Sequence, residues 1–249
     1  MHVDVRNLGY QVGKHALLSG ISLSIESGKK IGLLGPNGSG KTTLLKLIAG
    51  LIQPSQGQIA FNTTPSVDIK RKEMAQIIGL MAQHSLAECP LLVKDIVLLG
   101  QLFGRDHKLF KQVVSSTQID TLLEQTFYQL SGGEQQRVML AQLLYQNPNI
   151  LLLDEPANHL DMHNIWQLMS QVSDCCKTVI TSFHCFNSAA QFCDELVLLK
   201  NGNIHTHGSV EQVLTPKNLH AVFGIETEIV TKKNGRIAVL VNGFSSRST

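Results

Sequence analysis

Gly35-Pro36-Asn37-Gly38-Ser39-Gly40-Lys41-Thr42 fits the pattern G-x-x-x-x-G-K-[ST] at every fixed position. The run follows the apolar Lys30-Ile31-Gly32-Leu33-Leu34 and precedes the helical pattern Thr43-Leu44-Leu45-Lys46-Leu47-Ile48, the strand, loop, helix order that a phosphate-binding loop needs. Its glycines let backbone N–H groups turn inward around phosphate oxygens, and the helix start adds partial positive charge. Lys41 is placed to reach the β- and γ-phosphates and the Thr42 hydroxyl to ligate magnesium, so the sequence predicts binding of a Mg²⁺-nucleotide. The bland alternative, a glycine-rich turn before an ordinary helix, leaves the matching flanks unexplained.

A second stretch, Leu130-Ser131-Gly132-Gly133-Glu134-Gln135-Gln136-Arg137, opens the helical run Val138-Met139-Leu140-Ala141-Gln142-Leu143-Leu144. A serine and two glycines at a helix start repeat the anion-binding chemistry of the first loop. Read alone, Ser131 to Glu134 is equally a serine-capped helix start with a capping-box glutamate. The third stretch, Asn149-Ile150-Leu151-Leu152-Leu153-Asp154-Glu155-Pro156, is a continuous apolar run ending in two carboxylates. Such a run reads as a parallel strand buried on both faces, and ligands of open α/β sheets gather at the carboxyl ends of strands. Asp154 is then positioned to hold magnesium and Glu155 to orient or deprotonate an attacking water. On their own the two carboxylates could instead cap the next helix.

Together these stretches resemble the ATP-binding cassette family, whose signature L-S-G-G-x-Q is matched by Leu130 to Gln135 without a departure. The resemblance implies two copies paired head to tail, with Gly35 to Thr43 of one copy facing Ser131, Gly132, Gly133, Glu134 and Gln135 of the other across ATP. It also implies a D-loop at Asn158-His159-Leu160-Asp161, with Asp161 speaking across the dimer. Gln83, after Ile77-Ile78-Gly79-Leu80-Met81-Ala82, looks like the family's metal- and water-contacting glutamine. His184, after Thr178-Val179-Ile180-Thr181-Ser182-Phe183, resembles the switch histidine at the γ-phosphate, and Tyr10 the aromatic that stacks on adenine. Each of these three has a plain reading beside it: a solvated glutamine, a structural histidine, an exposed tyrosine at a strand end. Cys185 stands where the family frequently has an aspartate.

The elements that must position these residues follow from periodicity. Residues up to about 30 alternate, as in Ser22-Leu23-Ser24-Ile25-Glu26, which predicts antiparallel strands with one wet face. Over 31–83 and 140–215, buried strands alternate with helices as in a wound parallel sheet. Over 84–139 strand patterns vanish and helical stretches such as Val93 to Leu99 appear. The tail holds Leu214-Thr215-Pro216 leading to Val222-Phe223-Gly224, then two strand-like runs around Lys233-Asn234-Gly235-Arg236, a hairpin signal. The expected fold class is α/β: a P-loop NTPase (RecA-like) core with an N-terminal antiparallel β subdomain and an inserted helical subdomain. Residues 1–249 then form one ATPase domain, with 1–83 and 140–215 as β subdomain plus core, 84–139 as helical subdomain and 216–249 as extension.

With 249 residues, a net charge of +2 and charges of both signs scattered along it, the chain has material for such a core and nothing that suggests a nucleic-acid track, which would want a basic face. Aromatics make up only 5% of residues, which also argues against base-stacking platforms. No apolar run approaches the roughly 18 residues that span a bilayer, and the start lacks a basic region followed by an apolar core. A cytoplasmic chain is expected. Cys89, Cys175, Cys176, Cys185 and Cys193 lack C-x-x-C spacing and read as reduced, mostly buried thiols. His205 and His207 could suggest a metal site, though two histidines near a turn are ordinarily solvated.

The tail, the Asn158 to Asp161 loop and the stretch Lys72 to Gln83 resemble the ATPases of iron-siderophore, haem and vitamin B12 importers of type II. That resemblance implies an ATP-hydrolysing subunit at the cytoplasmic face of the membrane, energising uptake of a ferric siderophore or related iron chelate. Its implied partners are a second copy or paired ATPase subunit, a membrane-spanning permease and, indirectly, a substrate-binding protein; its cofactor is Mg²⁺. Catalytic roles fall to Lys41, Glu155, His184 and Gln83, and metal ligation to Thr42, Gln83 and Asp154. The alternatives are an importer ATPase for haem, vitamin B12 or another solute, or a cassette serving something other than transport. A P-loop kinase or GTPase would leave Ser131-Gly132-Gly133 unexplained, and a scaffold without turnover would be expected to lack Glu155 or His184.

Overall fold

Alternating burial along Val3–Val12 and His15–Ile25 joins these two strands in an antiparallel pair, Val3 opposite Ile25 and Val5 opposite Leu23, with all four side chains buried. The computed structural model describes residues 1–82, 90–101, 106–156, 162–174, 177–233 and 235–244. These fall into two units, one of 1–69 with 178–249 and one of 70–177.

In the first unit, Gln56–Phe61 pairs antiparallel with the free side of Val3–Val12, and Thr64–Pro65 adds a short fourth strand. This corrects the expectation of a wound parallel sheet throughout 31–83. Only Ile59 and Phe61 of this strand are buried, a one-sided pattern suited to a sheet with a wet face rather than to a strand covered on both sides.

Lys30–Leu34 lies between Thr178–Ser182 and Glu195–Lys200, parallel to both. Thr178–Ser182 is buried at every position, and burial on both faces is what continuous apolar runs in parallel sheets report. Asn203–Ser209 returns antiparallel to Glu195–Lys200. Its turn is Asn201-Gly202, with φ of 48° and 75°, the mirror-image turn whose twist suits a two-residue hairpin. The 140–215 segment therefore also ends in an antiparallel hairpin.

At the end of the first unit, Thr215 caps helix Pro216–Phe223 by accepting from the Asn218 N–H at 3.2 Å, and Gly224 closes it in the left-handed region. Pro at the first turn and Gly after the last follow the usual helix asymmetry. The hairpin Ile225–Thr231 with Ile237–Phe244 follows as expected, Ile229 opposite Val239. Asn187 holds it: its amide donates to the Val239 carbonyl at 3.1 Å and accepts the Val239 N–H at 2.8 Å.

In the second unit, Ile78–Met81 and Ile150–Leu153 pair in parallel. Helices Val93–Leu99, His107–Ser116 and Gly132–Gln146 share one apolar core containing Ile96, Val97, Val114, Phe127, Val138 and Tyr145. Among the described residues of 84–139 there is no strand, only an isolated bridge between Leu92 and Thr126. Helices Arg71–Ile77 and Met162–Asp174 complete the unit.

Candidate functional site

The loop Gly35 to Gly40 leaves the carboxyl end of strand Lys30–Leu34 and enters helix Lys41–Ile48. Gly35 passes so close to the Leu199 carbonyl and Ser39 Oγ that a Cβ would collide with both, and Gly38 and Gly40 are left-handed. The helix has no side-chain cap and no acidic residue in its first turn, so its leading N–H groups are left for an outside acceptor. Lys41 is buried, 5% exposed. Its Nζ donates to the carbonyls of Gly35 at 2.8 Å and Pro36 at 3.4 Å, which draws the ammonium back across the loop. Ser39 Oγ is buried and has no hydrogen-bond partner among the described residues.

A buried cation, an uncapped helix start and an orphaned hydroxyl together suit a phosphate. Thr42 and Thr43, half-buried, follow in the first helical turn. The same unit carries Tyr10, half-buried on strand Val3–Val12 opposite Leu18, and His184, exposed just beyond strand Thr178–Ser182. Cys185 is also exposed, at the cap position of helix Phe186–Phe192. That corrects its reading as a buried thiol, since a residue between strand end and helix start is turned to the surface. Burial pushes the Cys193 thiol up, with the neighbouring Asp194 carboxylate adding to the effect and Lys30 opposing it.

In the second unit, Asp154 stands directly after strand Ile150–Leu153. Its N–H donates to the Met81 carbonyl at 2.9 Å, and the residue is 5% exposed. Glu155 has φ of 52°, a left-handed conformation that costs an L-residue about 1–2 kcal/mol. Strain at a carboxylate before Pro156 makes Glu155 a candidate for a functional position. Thr42 in the first unit and Asp154 in the second each carry a hard oxygen donor of the kind Mg²⁺ takes.

Ser131 caps helix Gly132–Gln146. Its Oγ accepts the Glu134 N–H at 3.4 Å and donates to Glu134 Oε2 at 2.6 Å, and its own N–H donates to the same carboxylate oxygen at 2.8 Å. The capping box and the exposed glycine loop are therefore the same object: Ser131 and Gly132 remain on the surface, and a Cβ at Gly132 would meet nothing within 4 Å. The Ser131 hydroxyl, then its N–H, hold the Glu134 carboxyl below the usual range, helped by the charge of Arg137.

Gln135 turns its amide inward, donating to the carbonyls of Phe127 and Leu130 at 3.3 Å each, and so fixes the approach to the loop. Arg137 was not legible as a site residue; the signal that could have found it is its spacing of three from Glu134 on a helix face. Gln83 and Asp161 lie outside the described residues. His205 and His207 are exposed on strand Asn203–Ser209, and among the described residues no group of three or more His, Cys, Asp or Glu comes together.

The family model described as ABC transporter matches residues 18–158. The chain is 33% identical over 243 residues to the hemin import ATP-binding protein HmuV of Rhizobium meliloti (strain 1021), covering 91% of each. It is 31% identical over 248 residues to the petrobactin import ATP-binding protein YclP of Bacillus subtilis (strain 168), covering 95% of this chain and 98% of that one. It spans 55% of the length of a longer Bacillus subtilis relative, the uncharacterized ABC transporter ATP-binding protein YvrA, at 31% identity over 92% of this chain. A solved inward-facing structure of a putative metal-chelate type ABC transporter is similar over 96% of both chains, with a TM-score of 0.80 and 26% identity.

Proposed function

The chain belongs to the ABC transporter family, and on that premise we propose that it is the ATP-hydrolysing subunit of an importer, energising uptake of a ferric siderophore or haem. The observation that carries the ATPase is the uncapped helix start at Gly35 to Thr42 with the Lys41 ammonium buried beside it, in a chain whose residues 18–158 match the ABC transporter model. The iron-chelate cargo is supported by relatives whose printed functions are hemin and petrobactin import and by the metal-chelate type structural relative.

Two copies pair head to tail, so that ATP lies between the Gly35 to Thr43 loop of one and Ser131, Gly132 and Gly133 of the other. Tyr10 stacks on the adenine. The loop N–H groups and the Lys41 ammonium hold the β- and γ-phosphates, with Ser39 Oγ as a further hydrogen-bonding partner. Thr42, Asp154 and Gln83 would hold Mg²⁺, which would supply charge neutralisation at the phosphate oxygens. Glu155 accepts a proton from the attacking water, and His184 aligns the γ-phosphate. Little covalent chemistry is required, because phosphoryl transfer is catalysed mainly by positioning and charge stabilisation. Asp161 communicates across the dimer. Opening and closing of the pair drives a membrane-spanning permease seated near Gln83 and the 84–139 segment, with an external binding protein delivering cargo to the permease. The chain works at the cytoplasmic face of the membrane as a peripheral subunit; no described helix is long and apolar enough to cross one.

Ser131→Arg tests the shared site. It blocks the signature loop of one copy without touching the phosphate loop of the same copy, so nucleotide binding should survive and turnover should vanish. Mixed in equal amounts with Lys41→Ala, it should recover about one quarter of wild-type activity, because half of randomly paired dimers hold one intact composite site of two. Full activity of folded Ser131→Arg alone would overturn the paired-site reading.

A further inference from the structure

We propose that the free edge of strand Ile225–Thr231 docks a second copy of this chain, strand against strand and antiparallel, about a two-fold axis at Val230. The contact uses no residue of the phosphate-binding loop or the Ser131 loop and needs no nucleotide, so it goes beyond the proposed function.

Strands Ile225–Thr231 and Ile237–Phe244 form a two-stranded sheet of their own. Asn187 occupies the outer edge of the second strand, because the Val239 N–H and carbonyl both bond to its side chain and so face away from Ile229. Opposed residues of an antiparallel pair alternate between bonding to each other and facing outward. Ile229 therefore turns its own N–H and carbonyl outward, as do Thr227 and Thr231 along the same regular register. The turn agrees: Lys232 donates to the Arg236 carbonyl at 2.7 Å, which makes the next pair, Thr231 and Ile237, an outward-facing one. Among the described residues no strand lies along this edge, and no hydrogen bond reaches its outward groups. Such a row is a template for another strand.

Charge says which strand fits. Glu228 and Val230, with Lys232 just beyond the strand, are exposed and share one face, Glu228 and Lys232 standing two places either side of Val230. Neither charge has an ion pair among the described residues. An axis at Val230 sets Glu228 opposite Lys232 of the partner subunit, twice, and Val230 opposite its own counterpart. Ile229 and Thr231 then exchange about four backbone hydrogen bonds across the axis. Opposite charges facing each other across strands stabilise a pair and like charges destabilise it. Moving the axis to Glu228 brings the two Glu228 carboxylates together, and moving it to Ile229 sets Val230 against Glu228, so the side chains select this register. Charges on an edge ordinarily keep strands apart; opposite charges placed symmetrically about an apolar residue do the reverse for a second copy.

Sedimentation of the whole chain over a concentration series, without nucleotide, reads the contact. The wild-type protein should self-associate. Glu228→Lys and Lys232→Glu each turn two opposite-charge pairs into two like-charge pairs, so either should raise the dissociation constant about ten-fold or more. Mixed in equal amounts, the two variants should pair with each other, and the double substitution should associate as the wild type does. Misfolding would give neither recovery. A wild-type protein that stays monomeric throughout overturns the proposal, as does association that neither variant weakens, or variants that fail to pair when mixed while the wild type pairs. Nucleotide binding and hydrolysis are not read in this experiment, so its failure leaves the proposed function standing.

Discussion

Lys41→Ala should reduce Mg²⁺-dependent ATP hydrolysis by roughly 10³-fold or more, because a preorganised charge aimed at the transferred group is among the largest single contributions a site makes. The side chain is 5% exposed and its ammonium is held by the Gly35 and Pro36 carbonyls. Deleting it therefore also takes the Lys41 donor from the buried Gly35 carbonyl, at about 1–3 kcal/mol, while the Pro36 carbonyl keeps the Ser39 N–H. A modest fall in thermal midpoint is expected beside the loss of turnover. The two effects can be told apart by assaying well below the variant's midpoint. Turnover like that of the wild type from a folded Lys41→Ala protein would remove the phosphate-loop assignment.

Glu155→Gln should lower hydrolysis by about 10²- to 10⁴-fold, the range for losing a general base, while ATP binding persists. The replacement keeps shape and removes only the carboxylate. At φ of 52° the backbone strain at this position is shared by both residues, so stability should hardly change. Equilibrium binding of a fluorescent ATP analogue, alongside single-turnover hydrolysis, checks both halves. Loss of nucleotide binding in this variant would assign Glu155 a structural role instead.

What was legible in the sequence was chemistry that depends on short spacing. Gly35 to Thr42, the apolar run into Asp154 and the Ser131 cap are each defined within eight or so neighbouring residues, and the structure gives each the strand, loop or helix that its neighbours imply. The antiparallel start and the terminal hairpin were legible for the same reason, because alternation is a local signal. The strand Gln56–Phe61 was not, since its partner, Val3–Val12, lies some fifty residues earlier and only that pairing decides which sheet it joins. Nor does sequence carry a dihedral angle: the left-handed backbone at Glu155 has no signature in Asp-Glu-Pro. Gln135 shows a third limit. Its residue type and place suit a ligand contact, but nothing in the sequence tells that its amide donates to the Phe127 and Leu130 carbonyls.

We propose that ATP hydrolysis by this chain drives uptake of an iron chelate. It is tested most directly by measuring accumulation of labelled iron, supplied as a ferric siderophore or as haem, in the native host after deletion of this gene and of any second cassette serving the same cargo. Accumulation should fall to background, return with the wild-type gene and stay at background with Glu155→Gln, which binds ATP without turning it over. Unchanged iron accumulation in the deletion strain, or full recovery with Glu155→Gln, would contradict the account.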